Sequence, residues 1–416
     1  MRFPLCLLLA SLPLLGQSGF SLPGGLRVKL IENHERALVE ARVEVAWPAE
    51  DERGLEGAST LLGAVLETGG AGPFNAAAWR KALDEQGISL RFEARPGRFV
   101  WTLQCPSSAQ EAAFAFLAHA LARPLLDGPA VELQRARLYR EGQLRSPVEA
   151  AEERFRWALL EGRPEGLLEE GKLVHLSLEQ LQIFQSRVLR PERATLALLG
   201  DLNLAQARQL AQLHLGIWGP TALPRPAGPP LPPAPPVLAL PQGRPEARLA
   251  LLAPEGDGAV KPLSRLLERW IQGAAPAGCE GQLIATGRGP CLLLRAQGGP
   301  GDDALKLLET LRGWAAALAS RRVGPEETAI ARRLQASLAA ASALHPARQI
   351  EEAFLVEASP SDAAALQTCL ARWFAPERMR VLLLGCPAPP KEAPALKDLG
   401  ALVWLRPVEN RATGSK

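Results

Sequence analysis

Arg190-Pro191-Glu192-Arg193-Ala194-Thr195-Leu196-Ala197-Leu198-Leu199-Gly200 has a second version, Ala375-Pro376-Glu377-Arg378-Met379-Arg380-Val381-Leu382-Leu383-Leu384-Gly385. Each reads as a Pro-Glu-Arg turn, a short spacer, an apolar run with the length of a buried strand, and a closing glycine. An amphipathic helix precedes each, over Leu178 to Val188 and over Ala363 to Phe374. Helix, proline turn, strand and glycine in one order at similar depth in two halves point to an internal duplication. The fold therefore divides into two homologous units.

Between them, Pro220 to Pro245 carries a proline every two or three residues, as in Pro229-Pro230-Leu231-Pro232-Pro233-Ala234-Pro235-Pro236. Proline fixes φ and donates no hydrogen bond, so the run predicts an extended linker without helix or central strand. The expected organisation is a leader over 1–20, a first domain over 21–219, the linker over 220–245, a second domain over 246–408 and a tail over 409–416. In the first half, strands are predicted over Leu26 to Ile31 and Val39 to Trp47, where Val39, Ala41, Val43 and Val45 alternate onto one face. Helices are predicted over Ala58 to Thr68 and, capped by Asn75, through Gln86. A hairpin turns at Pro96-Gly97, and helices follow over Ala109 to Ala122, Ala130 to Leu144 and Val148 to Leu160. The second half gives a strand from Ala247, a helix from Lys261, strands near Gln282 and Cys291, and helices from Asp302, Pro325, Pro346 and Asp362. The expected class is α+β, with each domain a largely antiparallel sheet packed with helices on one face.

The 416 residues are 47% hydrophobic and 22% charged, a globular composition. A net charge of +3, with Lys and Arg dispersed, gives no ground for a nucleic-acid partner. Met1-Arg2, the apolar Phe3 to Leu15 and the small residues from Gly16 to Gly19 predict an export signal too short to anchor in a membrane. Cys6 does not follow a small-residue lipobox, so the expected mature protein is periplasmic or secreted, with no membrane span. Export leaves Cys105, Cys279, Cys291, Cys369 and Cys386, an odd number. Either Cys279 and Cys291 bridge across a hairpin or all five are small core residues. The strings Gly273 to Gly278 and Gly287-Arg288-Gly289 lack the Lys-Ser/Thr ending of a phosphate loop and read as turns.

Leu22-Pro23-Gly24-Gly25-Leu26-Arg27-Val28 resembles the opening strand of insulinase/pitrilysin-type metallopeptidases, and Arg190-Pro191 through Asp201 resembles the end of their first domain. The order of elements is similar over nearly the whole mature chain. The resemblance implies paired α+β domains of the clam-shell kind, with an inverted zinc motif H-x-x-E-H on the first helix. There two His side chains hold zinc and the Glu acts as general base. With Gly57 and Gly69 on the family's flanking glycines, Thr60 and Ala64 take the two His positions and Gly63 takes the base's. None of the three can perform its part. His34, His119, His175, His214 and His345 offer no helical pair in any register. For the downstream ligand the candidates are Glu132 and Glu141. Active members also use an Arg and a Tyr from the second domain. Here the single Tyr139 lies in the first half, and Cys279 to Cys291 keeps Arg288 but no Tyr.

The resemblance with its emptied motif implies a pseudo-peptidase without catalytic residues, cofactor or metal of its own. Inactive copies in this family pair with an active zinc-bearing homologue, which makes a heterodimer the expected assembly. The chain would line a chamber and bind peptide or unfolded protein by adding a strand to a sheet edge. The alternatives are a stand-alone periplasmic peptide-binding scaffold, and an active zinc metalloendopeptidase with an atypical site.

Overall fold

The computed structural model describes residues 17–162, 173–219, 236–286, 288–343, 362–387, 396, 399 and 402–405. Six strands form the first sheet: β1 (Gln17–Ser21), β2 (Arg27–Glu32), β3 (Leu38–Ala46), β4 (Ser89–Arg95), β5 (Arg98–Pro106) and β6 (Ala194–Gly200). Their order is β1-β2-β6-β3-β5-β4. The second sheet, from β7 (Val237–Ala239), β8 (Glu246–Leu252), β9 (Cys279–Thr286), β10 (Gly289–Gln297), β11 (Met379–Leu384) and β12 (Leu402–Trp404), has the order β12-β7-β11-β8-β10-β9. The two orders superimpose with β6 on β11, so the quoted repeat supplies the same interior strand to each sheet. Register carries the equivalence to single residues: Ala194 opposes Val45 and Met379 opposes Leu251.

Both sheets are mixed, because β2 runs parallel to β6 and β7 runs parallel to β11 and to β12. The remaining strand pairs are antiparallel, so each sheet is largely antiparallel as expected, with parallel strands added. The added parallel strands come from segments whose local pattern is weak. Val237–Ala239 falls inside the stretch read as linker. Its amides are free of proline between Pro236 and Pro241, so it can join both neighbours as a central strand. Gln17–Ser21, four of whose residues fall within the expected leader over 1–20, pairs antiparallel with β2 at the sheet edge. Residues 220–235, the helix expected from Pro346 and the tail lie outside the described residues.

Alternation builds the cores. Val39, Ala41, Val43 and Val45 of β3 and Phe99, Trp101, Leu103 and Cys105 of β5 face one way. Helices α1 (Ala58–Thr68), α2 (Ala76–Glu85), α3 (Gln110–Ala122), α4 (Gly128–Leu144), α6 (Leu178–Val188) and α7 (Leu204–Leu210) cover that face. Asn75 caps α2 through Ala78 N, and Ser177 caps α6 with a reciprocal bond from Gln180. In the second half α8 (Val260–Gly273), α9 (Ala304–Ala319), α10 (Pro325–Ala343) and α11 (Ala363–Trp373) pack against the second sheet in the same manner.

One element crosses over. Helix α5 (Pro147–Arg154) runs into a π turn over Phe155–Leu160. Ala151, Phe155, Ala158, Leu159 and Leu160 form a third core with Leu238, Leu240, Ala250, Leu252, Cys291, Leu382 and Leu384, on the outer face of the second sheet. The expectation of helices on one face alone is therefore corrected for the second sheet. The outer face there is apolar, and exposing it would cost about 25 cal/mol per Å². The covering helix comes from the first half of the sequence, beyond the reach of any local pattern.

Candidate functional site

The helix that should bear the zinc motif is α1. It starts after Gly57, whose φ of 87° suits glycine, and the buried Glu52 carboxylate accepts from Ser59 N at 2.9 Å to cap it. Thr60, Ala64 and Thr68 follow at four-residue spacing and so share one face. Thr68 donates from Oγ1 to the Ala64 carbonyl at 3.1 Å and accepts from Gln134 Nε2 of α4 at 3.0 Å. Gln134 is 6% exposed, and its Oε1 has no hydrogen-bond partner among the described residues.

Gly63 is buried where α1 meets β4. A β-carbon built there would stand 2.7 Å from Ala94 Cβ and 3.6 Å from Phe99 Cε1. A glutamate cannot occupy that position unless β4 moves away. The donor set has changed as well: a hydroxyl, a hydrogen and a methyl stand at positions 60, 63 and 64. Glu132 and Glu141 do not turn toward α1. They lie on the solvent side of α4, paired with Arg135 at 3.2 Å and Arg137 at 3.5 Å. The polar residue that α4 turns to α1 is Gln134. It was legible as the polar member of the spacing Val131, Gln134, Leu138, the buried stripe of α4. The residues present do not fit a zinc ion. Among the described residues no three His, Cys, Asp or Glu side chains converge to hold a metal.

The other motif residues are scattered. Tyr139 is exposed on α4. Arg288 sits at the tip of the β9–β10 hairpin, 3.0 Å from Glu255 and beside Gly162 at the end of the π turn. Gly278 and Gly289 adopt φ of 74° and 118°, which suits them to turns. Among the described residues Cys105, Cys279, Cys291, Cys369 and Cys386 form no disulfide with one another. Cys279 opposes Ala296 and Cys291 opposes Ile284, so the hairpin holds the two sulfurs at different rungs and no bridge forms. Burial pushes the Cys105 thiol up to about 11 and Cys291 and Cys369 up to about 12, the state of packed side chains rather than nucleophiles.

Among the described residues the sheets end in four edge strands, β1 and β4 in the first sheet and β12 and β9 in the second, of which β4 and β9 are equivalent. On β4 the side chains of Ser89, Arg91, Glu93 and Ala94 are exposed. Arg95 holds the Glu93 carboxyl below its ordinary value through a 2.8 Å hydrogen bond, assisted by the charges of Arg42 and Arg156. Strand β4 packs along α1, so the altered motif and an unpaired edge adjoin.

Residues 175–262 match the family model of the peptidase M16 inactive domain. No curated protein matches the chain. Among solved structures it is similar to a protease from Helicobacter pylori, with a TM-score of 0.70 and 14% identity over 89% of this chain and 100% of that one. A peptidase M16 inactive domain from Pseudomonas fluorescens gives a TM-score of 0.66 and 17% identity over 90% of this chain and 98% of that one. The periplasmic protease PqqL of Escherichia coli gives 0.62 and 13% identity over 89% of this chain and 45% of that one. The whole-chain likeness shows that the chain has the two-domain α+β fold of these M16 structures, and residues 175–262 resemble the inactive domain of that family.

Proposed function

We propose that this protein is a non-catalytic M16 subunit that binds extended peptide and pairs with an active, zinc-bearing homologue. The observation that carries the reading is the contact of Gly63 with Ala94: the place of the general base is closed by the strand packed against it. Thr60, Ala64 and Gln134 around it supply hydroxyl, methyl and amide in place of metal ligands. The chain spans under half of PqqL, a periplasmic protease. Export to the periplasm fits that relative. Pairing of Gln17–Ser21 in β1 favours cleavage of the leader before Gln17, which N-terminal sequencing of exported protein checks.

Two measurements test the proposal together. Purified alone, the chain should hold no stoichiometric zinc and cleave no peptide. Co-expressed with an intact H-x-x-E-H homologue from the same genome, it should co-purify and raise that homologue's activity. One equivalent of zinc in the isolated chain overturns the non-catalytic reading. A homologue that never co-purifies and works equally well without this chain overturns the pairing.

A further inference from the structure

The outer face of the first sheet beside its free edge carries charge in rows. Reading across the ladder from β4 through β5 to β3, Arg91, Thr102 and Arg42 form one row and Glu93, Val100 and Glu44 the next. Arg95 and Arg98 form the third. Arg156, on the π turn after α5, adds its charge near Glu93. Both glutamates are engaged: Glu93 with Arg95 at 2.8 Å, and Glu44 with Arg42 at 2.8 Å and Arg98 at 3.5 Å. With Glu40 on the adjoining row counted, five arginines stand against three glutamates and the edge is positive, and among the described residues no carboxylate pairs with Arg91.

The equivalent edge of the second sheet is built the other way. Register sets Glu280 opposite Arg295, Gln282 opposite Leu293 and Ile284 opposite Cys291. Glu280, Gln282 and Ile284 of β9 therefore hold the places that Arg91, Glu93 and Arg95 hold on β4. The positive edge is a property of the first domain and not of the repeated fold.

We infer that β4 takes an extended acidic peptide as a seventh strand, with carboxylates four residues apart meeting Arg91 and Arg95. This rests on the peptide-binding reading above and adds the substrate class. A strand laid against β4 turns alternate side chains to the outer face, rising about 3.3 Å per residue. Arg91 and Arg95 are then about 13 Å apart along the strand. Residues i and i+4 of the added strand lie across from them, while residue i+2 faces Glu93, where a third carboxylate is repelled. The preferred segment is acidic at i and i+4 and neutral or basic at i+2.

Fluorescence anisotropy with the purified full chain tests this. The probe is a labelled threonine-rich peptide with two glutamates four residues apart, compared with its two-lysine counterpart. The glutamate peptide should bind about tenfold tighter, from two exposed ion pairs gained and two repulsions avoided. A third glutamate at i+2 should weaken it. The double variant R91E/R95E should reverse the preference while the lysine peptide gains, a change that loss of folding cannot mimic. N-methylation of alternate amides of the glutamate peptide should abolish binding. Equal binding of the glutamate and lysine peptides, with N-methylation still blocking both, overturns the charge inference and leaves strand addition standing. Binding that ignores N-methylation, or no binding by any of these peptides, overturns strand addition at this edge and the charge inference with it.

Discussion

The two halves share a strand order and differ in what their sheets present outward. In the first, the outer side of β3 reads Glu40, Arg42, Glu44; in the second, the equivalent positions of β8 read Glu246, Arg248, Ala250. A Glu-Ala-Arg triplet recurs, and in both halves a glutamine crosses from the neighbouring strand: Gln104 to Glu40 at 2.9 Å and Gln297 to Glu246 at 3.1 Å. The halves diverge one step further on. Glu44 keeps the first face polar and ties down Arg42, whereas Ala250 opens an apolar floor on which Phe155 and Leu159 of the crossing segment sit. Released from a neighbour at 250, Arg248 bonds to Glu246 and reaches Glu152 on α5. Glutamate at one position and alanine at its equivalent thus mark the difference between a polar outer face and one that seats the crossing segment.

Removing the crossing segment's anchor should have the largest effect on this contrast. Phe155→Ala should cost about 3–5 kcal/mol, because the side chain is 3% exposed against the second sheet. Urea unfolding followed by second-domain tryptophans should report it, and a loss under 1 kcal/mol would mean that the outer face of the second sheet does not need its cover. The repeated Pro-Glu-Arg turn offers the next comparison. Arg193 pairs with the buried Asp51, while its counterpart Arg378 donates to the Ala253 carbonyl at 2.9 Å. Asp51→Ala strands a charge and should cost about 3–5 kcal/mol. Arg378→Ala should cost only about 1–2 kcal/mol. Equal losses would erase the distinction between the two turns.

The Glu246 and Glu40 pair predicts an acid-sensitive second half. Burial raises the Glu246 carboxyl, and bonds from Arg295, Arg248 and Gln297 outweigh it and bring it down to about 2. A carboxyl depressed in the folded state stabilises above its unfolded value of 4.5, and the contribution is lost as pH falls from there toward 2. It amounts to roughly 3 kcal/mol at neutral pH. Glu246→Gln should flatten the stability profile below pH 4.5, while Glu40→Gln should leave it within about 0.5 kcal/mol. An unchanged acid limb in Glu246→Gln would remove this carboxyl as its source. The smallest expected effect compares two helical glycines. Gly313 of α9 has nothing within 4 Å of a built β-carbon, so Gly313→Ala should stabilise by about 0.5–1 kcal/mol in thermal melts. Gly63→Ala should destabilise, since its methyl meets Ala94.

Much of this was written locally. The alternation of Val39 to Val45, the Asn75 cap, the Pro96-Gly97 hairpin and the repeat ending in Gly200 and Gly385 each rest on neighbours in sequence. All of these elements form where expected. Gly200 and Gly385 are required by space as well as pattern, with φ of 136° and 65° and backbone within 3 Å of a built β-carbon. The Glu-Ala-Arg triplet is also in the sequence, but it is too short to stand out and the periodicity around it differs. The change of chemistry at Thr60, Gly63 and Ala64 followed from residue types alone.

Tertiary structure decided the rest. Strands β7 and β12 are three residues each, too short for a pattern of their own, and exist because β11 and its neighbours offer backbone partners. The seat of α5 depends on an apolar face built from residues far along the chain. That Gln134 rather than Glu132 or Glu141 faces α1 depends on how α4 rotates when Val131 and Leu138 enter the core. Local hydrophobic period sets what a segment becomes, since it acts over a few residues. Which segments meet, and which edges stay open for a ligand, is set by long-range pairing and burial.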